Sequence, residues 1–500
     1  VVNPKIKALT ILSLLTMLYR LSIVSALIFG LTTQAQNHID ALRYSQESLW
    51  GSARYVAMGG AFGALGADGS TSSSNPAGIA TFTNGQLSGS LNLNEFNADG
   101  FQSVSSFNSD RSFAKKSSAS IPNINYVSAN ILEPEMAGDW DRINFGIGYN
   151  KLDDYNKSIS LVSTESDNSL SNYILSEAQG YAFDDLTTRG QLAYNTYLID
   201  TIGNEYSYNS PLESINSRTQ SYKSATSGSK NEFYLSFGTA YQNKLFIGAT
   251  IGLPSIEYRE KTTITEEDFI SNTNTPVQLK SFDYTTNLYV EGSGINLKLG
   301  LIYKIDDAIR YGFALHTPTY YEIHEEYSSS MNTVFNDSTH SSESYLGLFD
   351  YELSSPFKII NSLSFVINKR AIISIEHEYL DYSIANLSSE FYSFDDENNT
   401  MDFHYSSASN IKLGAELRVH PQLSLRGGYA YYGSPLTDSS KDASKEYLTL
   451  GFGLKVNQYF FDFTMINSSN QNYLEIYPNS ESAILKNTNG QFLVSGGFKF

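Results

Sequence analysis

Cysteine is absent from the 500-residue sequence, which excludes a disulfide framework and a thiolate metal site as sources of stability. Basic residues are few: 33 Lys and Arg stand against 52 Asp and Glu, and the net charge of −19 makes nucleic acid an unsuitable partner. A mean hydropathy of −0.27 does not fit a protein built from membrane-spanning helices. Stability is therefore expected to come from pairing of the backbone.

Aromatic residues and glycine, by contrast, are abundant. The sequence contains 36 Tyr, 29 Phe and 35 Gly, and hydrophobic residues make up 41% of it despite the negative mean hydropathy. This combination is typical of β-strands that are apolar on one face and polar on the other.

The chain begins with a pattern typical of protein export. An apolar run over residues 6–31 carries few charges and ends in Thr33-Gln34-Ala35, a small-x-small cleavage pattern. We predict that residues 1–35 are a signal peptide and that the mature chain begins at Gln36. Export would place the protein beyond the inner membrane.

Two start positions are consistent with this pattern, Val1 and Met17. A start at Met17 would leave Arg20 in a compact basic region before the apolar core of the signal. The competing interpretation is a transmembrane helix, but the uninterrupted stretch after Arg20 is shorter than the roughly 20 residues that a span needs.

Alternation of apolar and polar residues is the main secondary-structure signal, because successive side chains on a strand point to opposite faces. Every second residue from 448 to 456 is apolar. The same pattern recurs in three further segments: 295–303, 411–419 and 459–465. A one-residue slip would turn Lys412 and Arg418 toward lipid, where a basic residue costs about 2–4 kcal/mol. The alternation therefore predicts an apolar exterior and a polar interior.

The connections between these segments distinguish a barrel from a soluble sandwich. Five are tight turns: 242–244, 304–308, 368–370, 419–422 and 457–458. Each neighbours a much longer polar connection, and short turns at one rim with long loops at the other are typical of an outer-membrane barrel. We count fourteen strands, which begin near residues 86, 121, 142, 230, 245, 277, 309, 344, 371, 401, 423, 446, 459 and 491.

The predicted fold is therefore an all-β, antiparallel transmembrane barrel surrounded by outer-membrane lipid. An even strand number returns the C-terminus to the side on which the first strand begins, as closure requires. The last strand ends on Phe500, and such a terminal aromatic resembles the signal recognised by the barrel assembly machinery, although a chance terminal Phe is the alternative. Trp50 and Trp140 are expected at the membrane boundary.

Residues 36–84 precede the first predicted strand and do not alternate. They contain Ala53-Arg54 followed by Met58-Gly59-Gly60-Ala61-Phe62, and then Asn75-Pro76-Ala77-Gly78. These two motifs, in this order, resemble the N-terminal hatch of the FadL/TodX family of outer-membrane transporters, in which A-R-x-x-x-M-G-G-A-F precedes N-P-A-G. The resemblance covers about residues 51–80 at the level of motifs, and elsewhere it lies in strand number and loop pattern.

The resemblance implies a barrel over residues 85–500 closed by a hatch over residues 36–84. Ligand would be captured outside and passed inward through hatch movement and a gap in the wall. The gating residues that it implies are Asn75, Pro76, Ala77 and Gly78. The residues that it implies for hatch packing are Arg54, Met58, Gly59, Gly60 and Phe62. A plain structural turn is the alternative for the first set, because Pro after Asn favours a turn and withholds a donor.

In this family the gap in the wall comes from a kink in the third strand. The corresponding stretch here is 150–157, where Asp153, Asp154 and Asn156 interrupt the alternation. Two adjacent carboxylates would not face lipid, so a break is physically reasonable. An ordinary strand end explains them equally well.

The predicted outer loop over residues 163–229 is the only stretch with helical periodicity. Its apolar residues fall three and four positions apart, among them Leu170, Tyr173, Ile174 and Tyr181. The resemblance implies that helical outer loops form a groove that first receives the ligand, so these four residues are candidates for capture. Packing onto the barrel rim needs the same pattern and is the alternative.

Catalytic and metal motifs are not evident. Gly60, Gly63 and Gly66 have the spacing of a phosphate loop, but no strand precedes them and no Lys-Ser/Thr follows. Glu376 and Glu378 could act in acid–base chemistry, but charges are common in barrel interiors. The following histidines lack ligand spacing: 316, 324, 377, 404 and 420. We therefore expect no metal, no cofactor and no enzymatic activity.

The sequence predicts a monomeric outer-membrane channel for passive uptake of small hydrophobic compounds such as fatty acids or aromatic hydrocarbons. The alternative is a structural or secretion-associated barrel that acts with a protein-export machinery, since relatives of this family serve such systems. An outer-membrane lipase is disfavoured because no Gly-x-Ser-x-Gly nucleophile elbow is present.

Overall fold

The structure is a computed structural model that describes residues 38–102, 112–133, 138–166, 169–213, 215–271, 278–478, 480 and 482–500. The predicted signal peptide and its cleavage site lie outside the described residues. Strands dominate the described chain, as the alternation and the composition predict.

Twenty strand segments form one antiparallel sheet, and segments that lie end to end combine into fourteen barrel strands. These are β1 (Gln86–Gln102), β2 (Ser112–Ser120 and Asn123–Ile131), β3 (Trp140–Asp154 and Lys157–Ser166), β4 (Ile215–Tyr241), β5 (Leu245–Ser271), β6 (Leu279–Lys304), β7 (Ile309–His316 and Tyr320–Phe335), β8 (Gly347–Ser354 and Lys358–Ile367), β9 (Ala371–Asp381 and Asn386–Ser388), β10 (Ser407–His420), β11 (Leu423–Tyr432), β12 (Lys445–Val456), β13 (Tyr459–Leu474) and β14 (Ala483–Lys499). Three short strands lie in the loops: Asp200–Ile202, Asn204–Asn209 and Thr339–Glu343.

The sheet closes on itself because β14 pairs with β1. The register runs from Gln86 opposite Lys499 to Gln102 opposite Ala483. Every barrel strand therefore pairs with a neighbour on both sides over at least part of its length. The predicted fourteen-stranded antiparallel barrel is confirmed.

The apolar faces point outward, as predicted. Leu448, Leu450, Phe452, Leu454 and Val456 are 40–62% exposed, whereas Thr449 between them is fully buried. Lys412 also faces the interior, where it is 4% exposed. The alternation therefore assigned the lipid face and the lumen face correctly.

Several strand boundaries differ from the prediction. β4 begins at Ile215 rather than near 230, so the described part of the outer loop predicted for 163–229 is residues 169–213. The extension is rich in Ser and Thr on both faces, and it leaves no clear alternation to detect. A strand start near 401 is wrong, because Asp395–His404 is a helix and β10 begins at Ser407.

Two further starts were predicted too late in the sequence. β14 begins at Ala483 rather than near 491, and β2 begins at Ser112 before the predicted start near 121. The position of Trp50 is also corrected: it is buried in the interior, with the Lys151 ammonium 4.8 Å from its ring centroid. Trp140, which is 40% exposed, lies at the first residue of β3.

Five α-helices lie among the described residues. They are α1 (His38–Ser45), α2 (Ala53–Ala57), α3 (Leu170–Ala178), α4 (Thr188–Asn195) and α5 (Asp395–His404). Four 3-10 helices accompany them: Gly69–Ser73, Pro76–Thr81, Phe183–Asp185 and Tyr382–Ile384. In the described part of the chain, no helix has the length and apolar character that crossing a membrane requires.

Candidate functional site

The N-terminal segment, residues 38–82, packs against the inner face of the barrel. Its helix α2 contacts β11 to β14, while the 3-10 helix Pro76–Thr81 contacts β3 to β6 on the other side. The segment therefore crosses the lumen from one wall to the other. Its polar backbone groups are satisfied by wall side chains, as in the bond from the Thr464 hydroxyl to the Ala53 carbonyl at 2.6 Å.

Asn75 joins this segment to itself and to the wall. Its Nδ2 donates to the carbonyl oxygens of Gly63 at 2.6 Å and Leu301 at 3.1 Å. Its Oδ1 accepts from the amide of Ala77 at 3.1 Å, which caps the 3-10 helix that begins at Pro76. Both ends of the amide group are therefore used, and Asn75 is fully buried. This geometry fits a structural turn, and a gating role for residues 75–78 stays a prediction.

The residues of the first motif are brought together as a packed unit. Met58 and Phe62 are fully buried, and Gly59 and Gly60 adopt φ of 61° and 76°, the left-handed region that glycine tolerates best. Arg54 donates from Nε to Glu416 at 3.2 Å and from its terminal nitrogen to the Ala67 carbonyl at 3.1 Å.

Glycines of the wall make this close packing possible, and the sequence analysis did not single them out. A Cβ at Gly300 would overlap Asn75, and one at Gly414 would overlap Met58. Eight strands each contribute one such glycine: Gly146, Gly238, Gly248, Gly300, Gly312, Gly414, Gly428 and Gly451. The detectable signal was a glycine at an inward position of an alternating strand.

Two ion pairs connect the N-terminal segment to the wall. Lys358 contacts Glu47 at 2.5 Å and also lies 3.7 Å from Glu378. Burial alone would raise the pKa of Glu47, but the Lys358 ammonium lowers it well below its usual value. Two strands further round, on β10, Glu416 accepts from Arg54 and, at 2.7 Å, from Arg426.

A small polar cavity of about 50 Å³ lies between the N-terminal segment and the wall. Its charged lining residues are Glu47, Lys151, Lys358, Glu378 and Lys412. Glu376 and Glu378, the pair considered for acid–base chemistry, are bound to Lys412 at 3.0 and 3.2 Å. They serve as partners of a buried lysine and hold the wall together electrostatically.

An apolar compartment fills the lumen beside α1. We call it the aromatic cluster, and its buried members are Ala41, Tyr44, Tyr155, Ile256, Tyr258, Val290, Tyr321, Ile323, Tyr351, Leu353, Leu380, Tyr382, Ala385, Leu387, Phe394, Met401, Tyr405 and Ala408. Most of them come from β5 to β10, while α1, α5 with its flanking residues, the 3-10 helix at Tyr382 and the interruption of β3 at Tyr155 supply the rest. Sequence reasoning missed this cluster because its members are far apart in the chain.

The third strand is interrupted where the sequence indicated a break. A bulge separates Lys151 from Asp153, and β3 stops at Asp154 and resumes at Lys157. The ladder between β2 and β3 ends at Asn123 opposite Asn150. No backbone pairing joins the described segments 112–120 and 157–166, so an unpaired seam opens in the wall here.

Tyr155 lies in this interruption and faces the aromatic cluster. Its ring meets that of Tyr258 edge to face at 5.4 Å and lies 6.4 Å from that of Tyr44. Across the seam, Lys116 donates to the carbonyl of Thr226 at 2.5 Å. The seam therefore lies directly beside the aromatic cluster.

The residues considered for ligand capture are divided by the structure. Leu170 and Ile174 of α3 are fully buried and pack with Phe282 and Met331 of the barrel strands. Tyr173 is partly buried, whereas Tyr181 is 56% exposed. This burial is what packing onto the rim predicts, and a role in capture stays a prediction.

Helix α1 contacts helix α5 through two stacked imidazole rings. His38 and His404 stack at 5.4 Å, and the Tyr405 hydroxyl donates to the His38 carbonyl at 3.3 Å. Burial and the neighbouring His404 both lower the pKa of His38. In the described part of the chain, no three His, Asp or Glu side chains are arranged to hold a metal ion.

Comparison with known proteins identifies one family. The family model described as outer membrane protein transport protein (OMPP1/FadL/TodX) matches residues 31–459. No curated protein matches the sequence significantly.

Solved structures share the fold at low sequence identity. A Pseudomonas aeruginosa FadL homologue is 12% identical, with a TM-score of 0.53 over 91% of this chain and 100% of its own. The Pseudomonas putida toluene transporter TodX is 14% identical, with a TM-score of 0.52 over 91% and 99%. The CymD monoaromatic hydrocarbon channel is 11% identical, with a TM-score of 0.50 over 90% and 97%.

Proposed function

Because the chain belongs to the OMPP1/FadL/TodX family of outer-membrane transport proteins, we propose that it takes up small hydrophobic compounds by passive diffusion across the outer membrane. Its barrel fold and its apolar exterior agree with that location. Two solved proteins of the same fold are named for toluene and for monoaromatic hydrocarbons. A ligand of that chemistry suits the interior of this chain.

The observation that carries the proposal is the junction of the seam with the aromatic cluster. Tyr155 belongs both to the interruption of β3 and to the apolar compartment. A hydrophobic molecule in the compartment could leave sideways through the seam without crossing the polar cavity beneath. This route needs no energy source, because it joins one apolar environment to another.

The N-terminal segment acts as the hatch in this proposal, with residues 36–84 closing a barrel formed by residues 85–500. Its two ion pairs to the wall, Glu47 with Lys358 and Arg54 with Glu416, hold it in place. Asn75, Pro76 and Ala77 seat it on β5 and β6, while Gly78 packs against Thr71 and Gly66 of the same segment. Movement of this segment would open the path from the compartment to the seam.

A reversible lock tests the hatch, since the chain has no cysteine that could interfere. A Cβ at Gly238 would lie 3.1 Å from the Cβ of Ala80, near the roughly 3.5–4.5 Å separation in disulfides. We expect the Ala80→Cys/Gly238→Cys variant, when oxidised, to lose uptake of radiolabelled toluene in cells lacking other family members.

Reduction should restore uptake in the same cells, and the two single-cysteine variants report any effect of packing alone. Full uptake by the oxidised double variant would contradict hatch movement. Absence of toluene uptake by the unaltered chain would contradict the proposed function itself.

A further inference from the structure

The interruption of β3 is an ordered feature of the wall. The Tyr155 amide donates to the Gly228 carbonyl of β4 at 3.1 Å. The next amide, that of Asn156, donates to the Asp154 carboxylate at 2.8 Å. Gly228 adopts a φ of 119°, and a Cβ there would lie 2.0 Å from the Glu257 carbonyl oxygen. The break is therefore built into both strands, and these amides are satisfied without β2.

The opposite side of the seam is an edge of β2. Residues 112–120 pair with β1, and residues 157–166 pair with β4, but no ladder joins these two segments to each other. Their Cα atoms nevertheless approach within 8 Å. Two strands on either side of an inserted strand would lie about 9.6 Å apart, twice the usual spacing. The seam is therefore too narrow for a further strand, and its width depends on side chains that cross it.

Lys116 is a side chain that crosses the seam. It lies on the inner face of β2, because the preceding Lys115 points outward and pairs there with Glu95, both being half exposed. The Lys116 ammonium donates to the Thr226 carbonyl of β4 at 2.5 Å. The Thr226 hydroxyl in turn donates to the Tyr155 carbonyl. Lys116 therefore spans the interruption and ends beside the backbone of Tyr155.

We propose that Lys116 is a latch that closes the inner mouth of the seam, and that a hydrophobic molecule passes when the bond to Thr226 breaks. The closed latch places a charged group where such a molecule would leave the aromatic cluster, and an apolar ligand cannot replace its hydrogen bond. Lysine has a flexible four-carbon stem, so the ammonium can swing aside while it stays in water. The inference rests on the proposed lateral route and assigns the regulation of that route to one residue.

Toluene uptake by cells lacking other family members measures the latch. We expect Lys116→Met, which keeps the length of the side chain and removes its donor, to raise the initial rate about threefold or more, since the bond no longer opposes opening. Lys116→Arg keeps a donor and should return the rate to that of the unaltered chain. The matched control is Lys115→Met, which removes the same charge from the outer face of the same strand and should leave the rate unchanged.

Hydrogen exchange of the purified full-length barrel measures the seam without any ligand. We expect the amides of residues 112–120 and 157–166 to exchange about threefold faster in Lys116→Met than in the unaltered chain, and at the unaltered rate in Lys115→Met. If Lys116→Met does not assemble, Lys116→Ser takes its place, because a serine is too short to reach Thr226.

The two measurements separate the latch from the proposed function. If the unaltered chain takes up no toluene, the proposed function is wrong, and the exchange rates alone then decide whether Lys116 holds the seam. If the unaltered chain takes up toluene and Lys116→Met does so at the same rate, the latch is wrong while the proposed function stands. Equal exchange rates in Lys116→Met and the unaltered chain would also overturn the latch.

Discussion

Asn75 of the N-terminal segment and Gly300 of β6 are in direct contact, because the side-chain oxygen of Asn75 occupies the space that a Cβ at Gly300 would need. Beside this contact, Asn75 donates to the carbonyl of Leu301 at 3.1 Å. A hydrogen bond and a steric fit therefore act at the same place. The turn of the N-terminal segment rests on the backbone of the wall.

Substituting Gly300 tests that fit. We expect Gly300→Ala to lower the free energy of unfolding by about 1–3 kcal/mol, because the methyl group overpacks against Asn75 and Pro76. Urea denaturation followed by tryptophan fluorescence measures the change. Gly490→Ala is the control, since no atom lies within 4 Å of a Cβ there. Equal stability of the two variants would contradict the contact.

Removing the Asn75 side chain tests the hydrogen bonds. Asn75→Ala removes the helix cap on Ala77 and the bonds to Gly63 and Leu301, so we expect a loss of about 0.5–2 kcal/mol. Limited proteolysis should cut residues 60–80 faster in this variant. The exposed Asn84→Ala should be cut at the rate of the unaltered chain.

The Glu47 contact with Lys358 predicts a second effect on the N-terminal segment. Glu47→Gln leaves a buried lysine with less compensation, and we expect a loss of about 1–3 kcal/mol in the free energy of unfolding. The comparison is Glu95→Gln. The side chains of Glu95 and its partner Lys115 are half exposed, so this substitution should not measurably change the free energy of unfolding. A loss that disappears in high salt would contradict a buried pair.

Docking of α1 should depend on pH. Since the pKa of His38 in the folded state lies below its ordinary value of 6.5, the folded state disfavours the protonated ring. Stability of the docked helix is therefore complete above about pH 6.5 and declines as the pH falls below that value. Hydrogen exchange of residues 38–45 measures this decline, which His38→Gln should abolish. An exchange rate that is flat between pH 7 and pH 5, once corrected for chemical exchange, would refute it.

The apolar exterior predicts that the free-energy cost of a charged substitution depends on its depth in the membrane. Leu450→Arg should cost about 2–4 kcal/mol because it places a charge against hydrocarbon. Val456→Arg lies beside the turn at 457–458, near the membrane boundary, and should cost about 0–1 kcal/mol. Denaturation from lipid vesicles compares the two. Similar costs would place both residues at the same depth.

The local signals in the sequence predicted the strands that meet lipid. Where one face must be apolar, as at 448–456, every second residue reports its orientation. The local signals failed where neither face of a strand meets lipid, because such a strand does not alternate. The strand extension at 215–229 was therefore predicted as loop. The helix Asp395–His404 was also missed, because its apolar residues do not form a continuous stripe.

The interior was harder to predict because it is assembled from distant parts of the chain. The partners of Asn75 at Gly63 and Leu301 are separated from it by 12 and 226 residues. The amides at 94 and 491 become neighbours only when β14 closes on β1. No spacing within a single strand carries that information.

By itself, the sequence determined that the chain forms a barrel, which faces of its strands meet lipid, and that a glycine-rich segment precedes them. These properties follow from local side-chain periodicity and from backbone conformation. Only the tertiary structure decided which charges pair inside the barrel and where the wall is left unpaired beside Tyr155. Those depend on strand register and closure, which bring residues together from opposite ends of the chain.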